Sequence, residues 1–349
     1  MAVQVRLLDA AAVPAWDAFV AASPTATFFH RAAWAEVFRS AFGHTPHYLQ
    51  AEQDGAVVGV LPLVHVKTRL FGNSLMSSPF CVYGGPLASS REASLALEAH
   101  AAALMQRTGA AVTEFRPLHP LPDGWLTEGE WQTRGDLYAT FRKPIGADDE
   151  ANMKAIPRKQ RAMVRKGIDR GLASTVTDGV DGLHAIYAES VRNLGTPVFS
   201  RRYFRILADT FRGDMDVVTV LDAGTPVSAV LNFYDRDEVL PYYGGGTAAA
   251  RSSFANDFMY WEVMRRAAAR GCRLFDFGRS KAGTGAFSFK KNWGFTPLPL
   301  QYRYHLQPGA AIPDHNPLNP KYRLFIAAWK RLPLPVANLV GPHIVRGIG

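Results

Sequence analysis

Two cysteines in 349 residues, Cys81 and Cys272, are too few for a disulfide framework, and neither stands in a CxxC pair. Such a chain suits a reducing compartment, and its thiols read as neither metal ligands nor a redox pair. Long apolar runs are also missing. The longest uncharged one, AVVGVLPLV at 56–64, falls far short of the ~20 residues that cross a bilayer. Arg6, Asp9 and Asp17 interrupt the apolar residues of the opening segment, which argues against a secretory signal there. The ten histidines are scattered, and His44 and His47 at i and i+3 find no further ligand at metal spacing, so no metal is expected. GxSxG, HExxH and GxGxxG are absent, and no Ser or Cys nucleophile with a paired His is visible.

What is present is an ordinary soluble composition, 48% hydrophobic and 20% charged, in a chain long enough for two domains. The net charge of +9 is concentrated in two places. The stretch NMKAIPRKQRAMVRKGIDRG (152–171) sets Lys154, Arg158, Lys159, Arg161, Arg165, Lys166 and Arg170 against Asp169 alone. From Asn316 to Gly349 there is no acid, while Lys321, Arg323, Lys330, Arg331 and Arg346 are basic. Localised basic stripes of this kind suit phosphate partners or an anionic membrane surface. Helical spacing over 157–170 puts Arg158, Arg161 and Arg165 on one stripe and Lys159, Lys166 and Arg170 on another. The first stripe is read as a phosphate holder, the alternative being a solvated linker helix.

An internal repeat organises the chain. A strand–turn–strand at 48–66 leads to SSPFCVYGGPLA, a helix-period stretch at 92–109 and the strand AAVTEFRP. A second strand–turn–strand at 216–235 leads to VLPYYGGGTAAA, the helix NDFMYWEVMRRAAARG at 256–271 and CRLFDFGR. Tyr83 precedes Phe115 by 32 residues and Tyr243 precedes Phe277 by 34. Strand–helix–strand order predicts parallel neighbours, and the hairpins predict antiparallel ones, so each half is a mixed α/β sheet. Asn256 is the expected cap of the second helix and Gly271 its left-handed stop.

The segment FDFGRSKAGTGAFSFKKNWGF (275–295) carries the densest chemistry. It is not a P-loop: Gly278 and Gly283 have the right separation, but Thr284 stands where the phosphate-binding Lys is required. Asp276 shares a strand face with Leu274 and Gly278, and either ties down the following loop or lines a cleft, with Arg279, Lys281 or backbone N–H groups as donors. Lys290, at the start of a short helix, either stabilises an oxyanion over a strand end or is a solvated surface Lys. Phe287, Phe289 and Trp293 read as core.

The order Tyr-Gly-Gly, helix, Asp-Phe-Gly, Phe-Lys-Lys, Trp/Phe-Gly resembles the second-domain pattern of the FemAB-type transferases, tandem GNAT-fold proteins that form amide bonds in bacterial envelope precursors. IPRKQRAMVRKGIDRGL and the ending WKRLPLPVANLVGPHIVRGIG resemble a narrower branch associated with exosortase/PEP-CTERM exopolysaccharide systems. The resemblance covers about 150–349. It implies an α/β fold of two tandem GNAT-like acyltransferase domains with mixed sheets: 1–148, then 149–305 opening on the basic helix 157–170. A tail, 306–349, packs on the first domain or a membrane surface.

The same resemblance implies cytoplasmic N-acyl or aminoacyl transfer to an amine of a small-molecule or lipid-linked envelope precursor. In the tail itself, apolar and aromatic residues beside cations, with Trp329-Lys330-Arg331 at a helix end, suit peripheral contact with the inner face of the membrane through 320–349, the alternative being a tail packed on the first domain. The donor that the resemblance implies is aminoacyl-tRNA, with an acyl thioester of CoA or of an acyl carrier protein as alternative, no bound cofactor and no DNA. By motif position Lys290 matches the family's reaction-centre Lys, with Asp276 and Tyr243 orienting loop or acceptor. Arg158, Arg161, Arg165, Arg279, Lys281 and Asn256 are the expected substrate or phosphate contacts. The CoA-binding RxxGxG/A loop would fall at 251–256, where both glycines are missing and Phe254 obstructs the approach of a pyrophosphate. Two rival readings are a long-chain N-acyltransferase acting on a lipid amine and a non-catalytic scaffold of an envelope polysaccharide machine.

Overall fold

The computed structural model describes residues 2–313 and 323–348 and divides into two compact units. The first takes residues 2–137, 299–313 and 346–348, and the second 138–298 and 323–345.

The first unit contains β1 (Gln4–Leu7), α1 (Val13–Ala22), α2 (Trp34–Phe42), β2 (Thr45–Gln53), β3 (Ala56–Thr68), β4 (Gly72–Ser77), β5 (Leu87–Ala88), α3 (Arg91–Thr108), β6 (Val112–Phe115) and β7 (Trp131–Arg134). The second opens with β8 (Tyr138–Pro144), α4 (Asp149–Ala155), α5 (Arg158–Asp169), β9 (Ala173–Thr177), α6 (Asp181–Leu194) and α7 (Arg201–Thr210). It continues through β10 (Met215–Asp222), β11 (Thr225–Asp235), β12 (Glu238–Gly246), α8 (Ala248–Ser252), α9 (Ala255–Ala269), β13 (Leu274–Lys281), α10 (Gly285–Asn292) and β14 (Pro297–Pro299). After β15 (Tyr302–Leu306), which belongs to the first unit, come α11 (Arg323–Trp329) and α12 (Leu334–Val345) of the second.

The two sheets have the same plan. The first runs β1-β2-β3-β4-β6-β15-β7, with β5 paired to β3, and the second β9-β10-β11-β12-β13-β8-β14. In each, the strands flanking the crossover helix pair in parallel, β4/β6 around α3 and β12/β13 around α9. The expected order of hairpin, strand, helix and strand is present in both copies. Both sheets are mixed, and helices bury apolar faces on them.

The outer strands depart from the sequence boundaries. β8 lies antiparallel to β13 and β15 antiparallel to β6. Each sheet thus receives its sixth strand from beyond the other sheet's segment. The division falls before Tyr138 rather than at 148, because β8 hydrogen-bonds in the second sheet. Likewise 302–306 is a strand of the first sheet, whereas α11 and α12 belong to the second unit. The expectation that the tail packs on the first domain is corrected accordingly: Trp329 Nε1 donates to Thr196 O at 3.1 Å, and α12 packs on α6. Only the last residues return to the first unit, where His44 Nε2 meets Arg346 O at 2.8 Å. Residues 314–322 of the expected tail lie outside the described residues.

Candidate active site

β12 and β13 share register only at Glu238↔Leu274 and Val239↔Phe275, and then part. Two irregularities accompany the parting. Opposite Leu231 and Asn232 of β11, Tyr242 is an extra residue in β12, since Asn232 pairs with Pro241 and Leu231 with Tyr243. In β13 the register against β8 slips between Asp276 and Arg279, and Gly278 sits there at φ +63. Bulges of this kind bend a strand and re-aim its groups, and here one stands on each side of the gap.

The β13 bulge is held by two sequence-predicted residues. Asp276 is fully buried, accepts from Gly278 N–H at 2.6 Å and from Arg142 Nε at 3.1 Å, and Arg142 also bridges to Glu238 on β12. Of the two roles open to Asp276, this is the loop-tying one. Lys290 on α10 is partly buried and donates to three consecutive carbonyls, Phe277 O at 2.6 Å, Gly278 O at 3.1 Å and Arg279 O at 3.0 Å. Its three ammonium protons are therefore all engaged by the strand, so neither the oxyanion-stabilising reading nor the solvated one describes it. It is a clamp on the bulge. Burial pulls its pKa down to about 7, against the opposing field of Asp276.

Tyr243 is also placed differently from expectation. Its hydroxyl lies 2.7 Å from that of Tyr203, inside a ring of Tyr187, Phe199, Phe204 and Tyr242. Arg279 and Lys281 both sit over the ring of Tyr138, at 4.6 and 5.4 Å. On α5, Arg158 and Arg165 are exposed, while Arg161 is partly buried and donates to Lys154 O at 3.2 Å. Arg170 pairs with Asp222, and Lys166 lies over the Phe254 ring at 5.1 Å.

Asn256 is not the helix cap. α9 begins at Ala255, and the cap position is held by Phe254 in a left-handed conformation, φ +61. Asn256 instead lies over the end of β12. Alternation turns Gly244 and Gly246 toward α9, and Tyr243 and Gly245 toward α6. A Cβ at Gly246 would stand 2.6 Å from Asn256 Oδ1, one at Gly244 would stand 3.2 Å from the Tyr260 hydroxyl, and one at Gly245 would stand 2.5 Å from Ser190 Cβ. The glycines are what let both helices close on the strand.

Tyr260, one helical turn after Asn256 on α9, was not among the residues picked out from sequence. Its ring packs edge-on against Phe277 of β13 at 4.9 Å and beside Phe289 and Trp293. It therefore occupies the gap between the parted strands. Among the described residues neither the Tyr260 hydroxyl nor the Asn256 amide has a hydrogen-bond partner, and both side chains are partly exposed. Burial, then the charge of Asp257, raises the Tyr260 pKa to about 12. The available sequence signal was the i, i+4 pair Asn256/Tyr260 facing the alternate glycines 244 and 246.

The start of α9 carries its own anion. Asp257, in the first turn, accepts from Gln160 of α5 and from Trp293 Nε1 at 3.0 Å. A carboxylate fixed there already answers the helix dipole, and a pyrophosphate seated on the same turn would meet like charge. Among the described residues no group of three or more His, Cys, Asp or Glu is placed to hold a metal, and no helix is long and apolar enough to cross a membrane.

Residues 153–291 match the model of the Acetyltransferase (GNAT) domain. The chain is similar to the crystal structure of FemX, at 17% identity and TM-score 0.68, over 93% of this chain and 100% of that one. It is also similar to a tandem GNAT protein from the clavulanic acid biosynthesis pathway, at 14% identity and TM-score 0.55, over 89% and 100% of the two chains. A third likeness is to the C-terminal domain of a putative lysylphosphatidylglycerol synthetase from Agrobacterium fabrum, at 12% identity and TM-score 0.57, over 86% and 93%. No curated protein matches the chain. At these identities the structural likenesses show the fold, two GNAT-like units in one chain, and the domain match places GNAT-type acyltransferase sequence on the second.

Proposed function

We propose, from the premise of a GNAT-type acyltransferase domain over 153–291, that this protein transfers an acyl or aminoacyl group from an activated oxygen ester to an amine, in the manner of FemAB-type enzymes. The observation that carries the reading is the unpartnered Tyr260 hydroxyl in the gap between β12 and β13.

The ester carbonyl enters between the parted strands, beside Gly244. A neutral amine attacks its carbon, and the C–O bond to the leaving alcohol breaks. Tyr260 donates its phenolic proton to the departing oxygen, and the proton shed by the new amide nitrogen returns to the phenolate, so the phenol is regenerated. Burial serves this role, because a phenol at about 12 keeps its proton at neutral pH. It is also better matched to an alkoxide than to a thiolate, whose conjugate acid lies at about 8.5. Asp257 at the α9 N-terminus weighs in the same direction, against a pyrophosphate-bearing CoA donor. Asn256 offers an amide to the acyl group or the acceptor, while Lys290 and Asp276 act as positioning residues that fix the β13 bulge.

The exposed Arg158 and Arg165 of α5 suit a polyanionic donor, and aminoacyl-tRNA joins that property to an oxygen ester. The acceptor proposed is an amine on a cell-envelope or exopolysaccharide precursor, which rests on the FemAB resemblance. The test is to offer purified protein labelled aminoacyl-tRNA, acyl-CoA and acyl carrier protein in parallel, each with amine acceptors. Transfer from the oxygen ester that falls about a hundredfold in Tyr260→Phe, with an unchanged melting temperature, supports the reading. Transfer from a thioester alone, or a Tyr260→Phe variant as active as the parent, rejects it.

A further inference from the structure

α11 and α12 present an apolar surface that the fold leaves uncovered. α12, LPVANLVGPHIV, contains no charged residue. Its Ala337, Gly341 and Val345 are buried, and Gly341 packs against the backbone of Val198, too close there to admit a Cβ. Burying that stripe leaves Val336, Leu339 and Val340 on the outside, with Leu339 71% exposed. On α11, Leu324 is 85% exposed and Phe325, stacked on Trp329, is 41% exposed. A mostly apolar helix is ordinarily buried on more than one side, and this one is buried on a single stripe, with His343 the polar residue on its exposed face. Scattered exposed leucines are commonplace, but five large apolar residues on two consecutive helices form a patch that calls for a partner.

The charges around the patch indicate which partner. Arg323 opens α11, and Lys330 and Arg331 fill the short turn between the helices, all exposed. No acid occurs anywhere from Asn316 to Gly349. The turn is anchored from beneath, since Arg192 of α6 donates to Lys330 O at 3.2 Å and Trp329 Nε1 to Thr196 O. The turn that carries Lys330 and Arg331 is thereby held on the second unit. Apolar side chains carried on a segment whose only charges are cationic fit an interface whose interior is hydrocarbon and whose rim is anionic phosphate. A protein partner would be expected to supply, or to require, at least one acid at the rim.

We infer that α11 and α12 dock this protein peripherally on an anionic membrane surface, with Leu324, Phe325, Leu339 and Val340 entering the acyl boundary and Arg323, Lys330 and Arg331 meeting lipid phosphates. The inference is independent of the transfer chemistry, since none of these residues belongs to the β12/β13 gap.

The experiment is co-sedimentation of the full chain with vesicles of phosphatidylcholine containing phosphatidylglycerol, and with vesicles of phosphatidylcholine alone. The parent protein sediments with the anionic vesicles, more weakly at high salt, and much less with the neutral ones. Leu324→Glu/Leu339→Glu lowers partitioning by about tenfold or more. Both positions are exposed, so the melting temperature stays at the parent value. Arg323→Glu/Arg331→Glu, which leaves every apolar side chain in place, lowers binding to anionic vesicles and leaves the weak neutral binding unaltered. A parent that stays in the supernatant with anionic vesicles overturns the inference, as does a leucine variant that sediments like the parent. It is equally overturned if light scattering shows a dimer that the leucine variant dissociates while vesicles bind neither form, because the surface then covers a second copy of the chain.

Discussion

In the first unit the parallel strands β4 and β6 share register through Met76↔Glu114, and beyond that point they are tied together again. Ser77 Oγ accepts from Arg116 N–H at 3.0 Å, and Gly84 N–H donates to Arg116 O at 2.8 Å. The Arg116 side chain is 2% exposed, ion-paired to Glu114 at 2.7 Å and bonded to Cys81 O. In the second unit the equivalent strands β12 and β13 share register only through Val239↔Phe275, where Arg142 bridges Glu238 and Asp276, and then separate. What stands between them is Tyr260, with its hydroxyl unclaimed among the described residues. Duplication thus produced two copies of one gap. In one, a buried charge pair fills the space and satisfies its own polar groups. In the other, polar tips are left for something else to satisfy. Partly exposed polar tips that the protein leaves unbonded are available to a ligand, which is why the open copy is the one to which chemistry is assigned.

Four substitutions would break or sharpen this contrast. The largest effect is expected from Arg116→Met, which leaves Glu114 buried and unpaired. Denaturant melts should show a loss of about 3–5 kcal/mol, while turnover per folded molecule stays at the parent value. Tyr260→Phe should do the reverse, with turnover down about a hundredfold and stability within roughly 0.5 kcal/mol of the parent, since no hydrogen bond within the protein is lost. If both substitutions moved stability and neither moved turnover, the two gaps would be equivalent and the assignment would fall.

Lys290→Met addresses the clamp. The folded pKa of Lys290, about 7, lies below the ordinary 10.5, so the unfolded chain binds more protons between those values. Parental stability should therefore climb as pH rises through that window, relative to the methionine variant, by about 2 kcal/mol between pH 7 and pH 9. Paired urea titrations at the two pH values check it, and parallel curves would mean that Lys290 is solvated. The smallest effect is expected from Arg158→Glu/Arg165→Glu, a several-fold rise in KM for a polyanionic donor that fades as salt is added. A KM indifferent to both changes would remove α5 from donor binding.

Much of the fold was legible in the sequence because it is locally written. Hairpins, the two Tyr-Gly-Gly segments and the helices after them recur at matching intervals, and each copy of that unit is contiguous. The exchange of β8 and β15 was not legible, since a strand's choice of neighbour depends on which sheet edge it meets and short strands such as YRYHL carry no address. The site was legible in part. Asp276 and Lys290 were found from their place beside a glycine-rich loop. That Lys290 would spend its donors on three carbonyls follows from the direction of backbone groups in a bulge, which residue spacing does not reveal. Tyr260 was passed over because a tyrosine in MYWEVM reads as one more core aromatic of a helix. Its importance emerges only when β12 turns two glycines toward it.

The exchanged strands also dictate an order of assembly. β15 sits between β6 and β7, so until residue 306 has left the ribosome the first sheet stands in two pieces with an unpaired edge on β6. By then the second sheet already holds β9 through β13 and β8, all of them synthesised by residue 281. Of the two sheets, the one whose strands are translated first is therefore the later to be joined up, and a nascent chain halted between the two points would hold one continuous sheet and one in two pieces.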